Sequence, residues 1–171
     1  MSNTYTQIYI QCVFAVKFRK ALIQPFWKDY LLKYITGIVQ NHNHKLLSIN
    51  SMPDHLHMFF GFQPNQSLSD LMNLVKGESS EWINTKNFTP SLFRWQSGYG
   101  AFSYSRSQIK SVCNYIEKQE HHHRKKTFLE EYKDLLTSSR LNTMKNIFFT
   151  RCYNFRLDSR SFCQIEIDKL I

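Results

Sequence analysis

The sequence has no Cys-x-x-Cys pair. Its four cysteines, Cys12, Cys113, Cys152 and Cys163, follow no regular spacing, and they read as reduced thiols of a cytoplasmic protein. No apolar run approaches the roughly 18 residues of a membrane span. Met1-Ser2-Asn3-Thr4-Tyr5 lacks the charged and apolar regions of a signal peptide, so no membrane association is expected. Internal repeats and low-complexity segments are also missing. Acidic residues are scarce: 13 Asp and Glu stand against 22 Lys and Arg, a formal net charge of +9. That balance favours a polyanionic partner, nucleic acid ahead of a membrane surface because no basic amphipathic anchor stands out. What is plentiful is apolar and aromatic material, 42% and 15% of the 171 residues. A mainly disordered chain is thereby excluded, and the length suits one domain with a real core and a C-terminal appendage.

Taken in order, Ile8, Ile10, Cys12, Phe14 and Val16 alternate with Gln7, Tyr9, Gln11, Val13 and Ala15, a strand period. The basic turn Lys17-Phe18-Arg19-Lys20 follows. Pro25 suits a first helical position, and Phe26, Trp27, Tyr30, Leu31, Tyr34, Ile35, Ile38 and Val39 repeat with helical spacing. His42 and His44 read as a solvated helix terminus. Lys45 to Ser51 is expected to form a second strand, joined through Met52-Pro53-Asp54 to a third in an antiparallel hairpin. Ser67 followed by Asp70 caps a second helix reaching about Ile83. Inside it Lys76-Gly77-Glu78-Ser79-Ser80 places a glycine that costs about 1 kcal/mol relative to alanine. Close packing is the simpler account, and approach of a DNA backbone is the alternative. A loop over 84–92 leads to a fourth strand, Phe93 to Tyr104, interrupted by glycines that suit a bulge. Ser105 or Ser107 caps a third helix with the stripe Ile109, Val112, Cys113 and Ile116. Thr127 with Glu130 caps a short final helix bearing Phe128, Tyr132, Leu135 and Leu136. The order βαββαβα plus a terminal helix predicts an α+β domain of the ferredoxin-like or RRM-like split βαβ type, an antiparallel sheet with helices mainly on one face.

Chemistry concentrates in two stretches. In the third strand Leu56, Met58, Phe60 and Phe62 alternate, so His55 and His57 project together from the opposite face, about 7 Å apart. Two imidazoles so placed can share a divalent ion if a third ligand arrives from elsewhere. Taken alone, such a pair is more often hydrogen-bonded than ligating. In the third helix Tyr115, Gln119 and His122 lie at i, i+4 and i+7, presenting a phenol and a metal-capable side chain on one surface. The plainer account makes Tyr115 the edge of a core and His121 to His123 a basic terminus running into Arg124-Lys125-Lys126.

Together these stretches resemble the single-tyrosine HUH transposases of small bacterial insertion sequences and their repeat-palindrome-associated relatives. The likeness rests on His55-Leu56-His57 preceded by Met52-Pro53-Asp54, on Lys76-Gly77 followed by Ser79-Ser80, on Trp95-Gln96-Ser97-Gly98-Tyr99, and on Tyr115-Ile116-x-x-Gln119-x-His121-His122. It spans roughly Tyr5 to Leu136. The resemblance implies that His55, His57 and Gln119 bind Mg²⁺ or Mn²⁺, and that Tyr115 attacks a phosphodiester to give a 5′-phosphotyrosine and a free 3′-OH. It further implies single-stranded DNA bearing a hairpin as substrate, and a homodimer with composite active sites. DNA backbone is expected against some of Lys17, Arg19, Lys20, Arg94, Arg106, Lys110, Arg124, Lys125 and Lys126. The catalytic domain is assigned to 1–137, and 138–171 forms a C-terminal tail unlike the family's usual ending. Two other readings share these features: a nonenzymatic nucleic-acid-binding module, and a nuclease that uses bound water.

Overall fold

The computed structural model describes residues 5–119 and 128–138. Alternating patterns become strands β1 (Ile8–Ala15), β2 (Lys45–Met52), β3 (His55–Phe62) and β4 (Gly100–Tyr104). They pair antiparallel in the order β2-β3-β1-β4, as the split βαβ arrangement requires. Helix α1 (Pro25–Asn41) starts with proline in its first turn, and α2 (Leu68–Thr85) is capped by Ser67, whose hydroxyl accepts from the Asp70 amide at 3.1 Å. Both lie on one face of the sheet. There Trp27, Leu31, Ile35, Leu71, Met72 and Val75 close over Cys12, Phe14, Leu56, Met58 and Phe60, each large side chain contributing about 1.5–3 kcal/mol by burial.

The opposite face is covered by shorter helices. In α3 (Ile109–Glu117) Val112 and Ile116 are buried on Phe59 of β3. Its entry is a capping box in which the Gln108 side chain accepts from the Ser105 amide at 2.9 Å. At the other end Asn50 of β2 donates to the Ile116 carbonyl at 2.9 Å, satisfying a helix-terminal acceptor. Helix α4 (Phe128–Ser138) docks Tyr132 against Val13 and Phe102. Because both faces are covered, six successive residues of β3, His55 to Phe60, are buried.

Three expectations need correction. His44 is no solvated terminus: it is 2% exposed, stacks on Phe62 with ring centroids 5.2 Å apart, and accepts from the Gln63 amide at 3.1 Å. Asn43, in left-handed backbone at φ 61°, turns the chain so that His44 folds under the sheet edge. The fourth strand is shorter than its apolar content implies. Trp95 makes an isolated bridge to Val16, and Lys76 then donates to the carbonyls of Gln96 and Gly98, at 2.7 and 2.9 Å, holding this stretch as a loop. Gly77 is not closely packed, for a Cβ built there meets nothing within 4 Å. The Thr127 cap, His121 to His123, Arg124 to Lys126 and 139–171 lie outside the described residues.

At Gly100 space is short: an added Cβ would fall 2.7 Å from the Tyr132 hydroxyl and 2.9 Å from its ring. Gly100→Ala is therefore expected to push α4 from the sheet and lower stability by about 1–3 kcal/mol in urea unfolding. An unchanged midpoint would show that Tyr132 does not anchor the helix.

A candidate metal and tyrosine centre

The β3 alternation puts His55 and His57 on the face opposite the main core, both nearly inaccessible, with ring centroids 5.2 Å apart. Each ring is oriented from behind. His55 Nδ1 bonds Asp54 Oδ1 at 2.6 Å, and the other Asp54 oxygen accepts from Arg19 Nε at 2.9 Å and pairs with its Nη2. Burial works against the Asp54 carboxylate, but the His55 and Arg19 hydrogen bonds outweigh it and hold its pKa at about 2. His57 Nδ1 lies 3.1 Å from Gln11 Nε2, on the neighbouring strand. Gln11 is fully buried. Turned end for end, its amide presents oxygen to an Nδ1–H, the tautomer that frees Nε2 for a ligand.

In front of the imidazoles stands Glu131 of α4. Its Oε2 is 3.8 Å from His55 Nε2 and 3.7 Å from His57 Nε2. His57 Nε2 is buried and has no hydrogen-bond partner among the described residues. One ligand atom each from His55, His57 and Glu131 can be chosen so that all three lie within 4.8 Å of one another. Two imidazoles and a carboxylate form a donor set that suits a divalent cation, and the partnerless Nε2 points to one. Burial pushes His55 down to about 4 despite the pull of Asp54, so its ring is neutral near pH 7, as a ligand must be.

Tyr115, on α3, reaches the same cluster. Its hydroxyl donates to Glu131 Oε1, and its ring lies 6.2 Å from that of His57, between centroids. Burial raises the phenol's pKa well above its usual value, and the Glu131 hydrogen bond and charge raise it further. Gln119, one turn later and fully buried, donates to the same oxygen at 2.8 Å. The four residues singled out from sequence, His55, His57, Tyr115 and Gln119, therefore meet, and Glu131 joins them. Glu131 is marked in the sequence by its place inside the apolar stripe of α4, three residues after Phe128 and four before Leu135, where a carboxylate needs a buried partner.

The basic residues divide. Arg19 is committed to Asp54, whereas Lys17 and Arg94 line a cavity against α2. Lys20, Arg106 and Lys110 are exposed. No helix among the described residues is long and apolar enough to cross a membrane.

Residues 4–119 match the family model described as "Transposase IS200 like". The chain is 22% identical over 118 residues to the ISDra2 transposase TnpA of Deinococcus radiodurans, a match covering 66% of this chain and 84% of that protein. Among solved structures, a Deinococcus radiodurans transposase superimposes with a TM-score of 0.56 at 20% identity, over 70% of this chain and 95% of the other. A REP-associated tyrosine transposase bound to a REP hairpin gives 0.52 at 13% identity, over 72% and 74%. At these identities the superpositions speak for the fold alone.

Acid should destabilise the metal-free protein, assayed in EDTA. Unfolded His55 takes up a proton near 6.5 but folded His55 only near 4. Between those values the unfolded state binds more protons, so stability drops as the pH is lowered, by about 3 kcal/mol. Asp54, at about 2 against 3.8 unfolded, continues the loss below pH 4. Urea unfolding at pH 7, 5 and 4 checks this, and a flat profile would contradict it.

Proposed function

This chain belongs to the IS200-like transposase family, whose business is DNA transposition, and we propose that it cleaves and rejoins single-stranded DNA through a covalent bond to Tyr115. The observation that carries the reading is a single carboxylate. Glu131 takes the Tyr115 hydroxyl on one oxygen and faces both imidazoles with the other. In this reading nucleophile, proton acceptor and ligand set share one centre.

In the proposed reaction Tyr115 Oη attacks phosphorus as its proton passes to Glu131 Oε1. The bond from phosphorus to the 3′ oxygen breaks, leaving a 5′-phosphotyrosine, and the departing 3′ oxygen takes a proton from water to become the free 3′-OH. The phosphodiester's bond energy is retained in the adduct, and attack by a 3′-OH reverses the step on another strand. His55, His57 and Glu131 would hold Mg²⁺ or Mn²⁺, which supplies Lewis-acid polarisation of the scissile phosphate. Asp54 and Gln11 fix the two rings, and Gln119 fixes the carboxylate. Gln119, the third ligand that the family resemblance implies, takes a positioning role in this proposal because its amide nitrogen is turned toward Glu131.

The hairpin-bearing substrate is proposed from the family likeness and from the relative bound to a REP hairpin. Assignment of the catalytic domain to 1–137 stands on the same footing. Tyr115 and His57 of one chain lie side by side, which supports chemistry within a subunit. A homodimer with composite sites is the second arrangement, favoured by the family likeness.

Tyr115→Phe is expected to bind hairpin DNA normally yet form no denaturation-resistant adduct with Mn²⁺ and end-labelled single-stranded DNA. Mixing it with His57→Ala protein should leave the adduct absent if both groups act within one chain. Recovery in the mixture would establish the composite site instead, and an adduct in Tyr115→Phe alone would move the nucleophile elsewhere.

The ligand assignment is tested by Mn²⁺ titration calorimetry. Glu131→Ala should weaken binding beyond detection, whereas Gln119→Ala, which removes an outer partner, should weaken it by about 10–100-fold. The reverse order would make Gln119 the ligand.

A further inference from the structure

On the far side of β1 from the histidines, a cavity of about 560 Å³ opens between α2 and the loop before β4. Three cations line it, Lys17, Lys76 and Arg94, and its lining contains no carboxylate. Phe18 stands at its edge, 47% exposed, with Lys17 Nζ 5.1 Å from its ring centre. This aromatic is held in place: Phe18 and Arg19 both adopt left-handed backbone, at φ 60° and 55°. The Lys17 amide bonds the Arg94 carbonyl at 2.9 Å, and the Phe18 amide reaches Gln96 Oε1 at 3.4 Å. Gly77 lines the opposite wall, and no packing accounts for a glycine there, since a Cβ would stand in open space.

From this lining we infer that the cavity is a binding site for one nucleotide of single-stranded DNA, its base on Phe18 and its phosphate between Lys17 and Arg94. The inference rests on the proposed function for the choice of DNA. A positive wall beside an exposed ring suits a strand whose bases are unpaired, because a duplex keeps its faces stacked inside and offers only phosphates. Lys76 is tied to two carbonyls, so it shapes the wall and adds charge, leaving Lys17 and Arg94 to meet the ligand. The bare helix surface at Gly77 leaves room for a base that a larger side chain would fill. The site is also joined to the catalytic centre. Arg19, next to Phe18, grips Asp54 behind His55, and the Val16 amide bonds the Asp54 carbonyl at 2.8 Å.

The test uses the full-length chain and fluorescein-labelled oligothymidylate of twelve nucleotides carrying one 5-iodouracil. Wild-type protein should bind it and, on irradiation, cross-link at Phe18. Gly77→Leu, which fills the cavity from an unobstructed helical position, should weaken binding about tenfold with an unfolding midpoint unchanged or raised. Phe18→Ala should lose a similar factor, the value of one base–aromatic stack. Wild-type affinity in Gly77→Leu, or cross-links mapping only outside the cavity, overturns the inference. Neither readout needs Tyr115 chemistry. Cross-linking at Phe18 in a protein that never forms a tyrosyl adduct supports the cavity and removes the proposed mechanism. An adduct-forming protein whose Gly77→Leu variant binds normally removes the cavity alone.

Discussion

Two imidazoles on one face of β3 are shut away from water by a sheet covered on both sides, and the surroundings answer to that desolvation. A buried polar ring without a partner costs on the order of 1–3 kcal/mol. Asp54 and Gln11 supply partners at the back of the rings, and Glu131 stands in front. Asp54 is itself a partly buried charge, and Arg19 offsets it. The result is a chain of dependence running from Arg19 through Asp54 to His55, and in parallel from Gln11 to His57. The polar side of the sheet is thus a buried network, of the kind that fixes geometry when its members are satisfied.

Strand β1 is where this network meets the rest of the fold. It lies between β3 and β4, sends Cys12 and Phe14 into the main core, and sends Gln11 and Val13 to the site side. Its exit carries Phe18 and Arg19 in left-handed backbone, a conformation costing about 1–3 kcal/mol for each such residue. Hydrogen bonds from Val16 to the Asp54 carbonyl and from Lys17 to the Arg94 carbonyl pin the entry to that turn. The strained turn therefore holds one wall of the basic cavity and one partner of Asp54 in the same rigid segment.

Much of this was legible in the sequence, and the reasons are local. Period-two alternation in β1 and β3 fixed which face each histidine takes, and Pro25 and Ser67 marked helix starts now seen at those places. The family motif joined His55, His57, Tyr115 and Gln119, which the fold brings together. What escaped depends on contacts between distant segments. His44 looks solvated until Asn43 turns it beneath Phe62. The residues 93–99 look like strand until Lys76 takes their carbonyls. Gln11 looked like one more outward residue of an alternating strand, and Glu131 like part of a capped, amphipathic helix. Neither role exists until β1 lies beside β3 and α4 crosses the site face.

In the proposed mechanism, charge arithmetic at the centre gives a bound cation its purpose. His55 is neutral near pH 7, and in the proposed reaction the phenolate of Tyr115 would place its charge beside the Glu131 carboxylate. The carboxylate that accepts the phenol's hydrogen bond also repels the phenolate, and burial amplifies the repulsion, so Tyr115 is held protonated. Glu131 is therefore well placed to receive the proton and poorly suited to activate the phenol unaided. Gln119 contributes a dipole rather than a charge, and Arg19 is committed to Asp54. A positive charge facing Glu131 Oε2, His55 Nε2 and His57 Nε2 would lower the cost of the phenolate while leaving Oε1 to take the proton. The same three atoms that could hold a divalent ion are those from which its field would act on Tyr115, so in the proposed mechanism ligand set and nucleophile form one electrostatic unit.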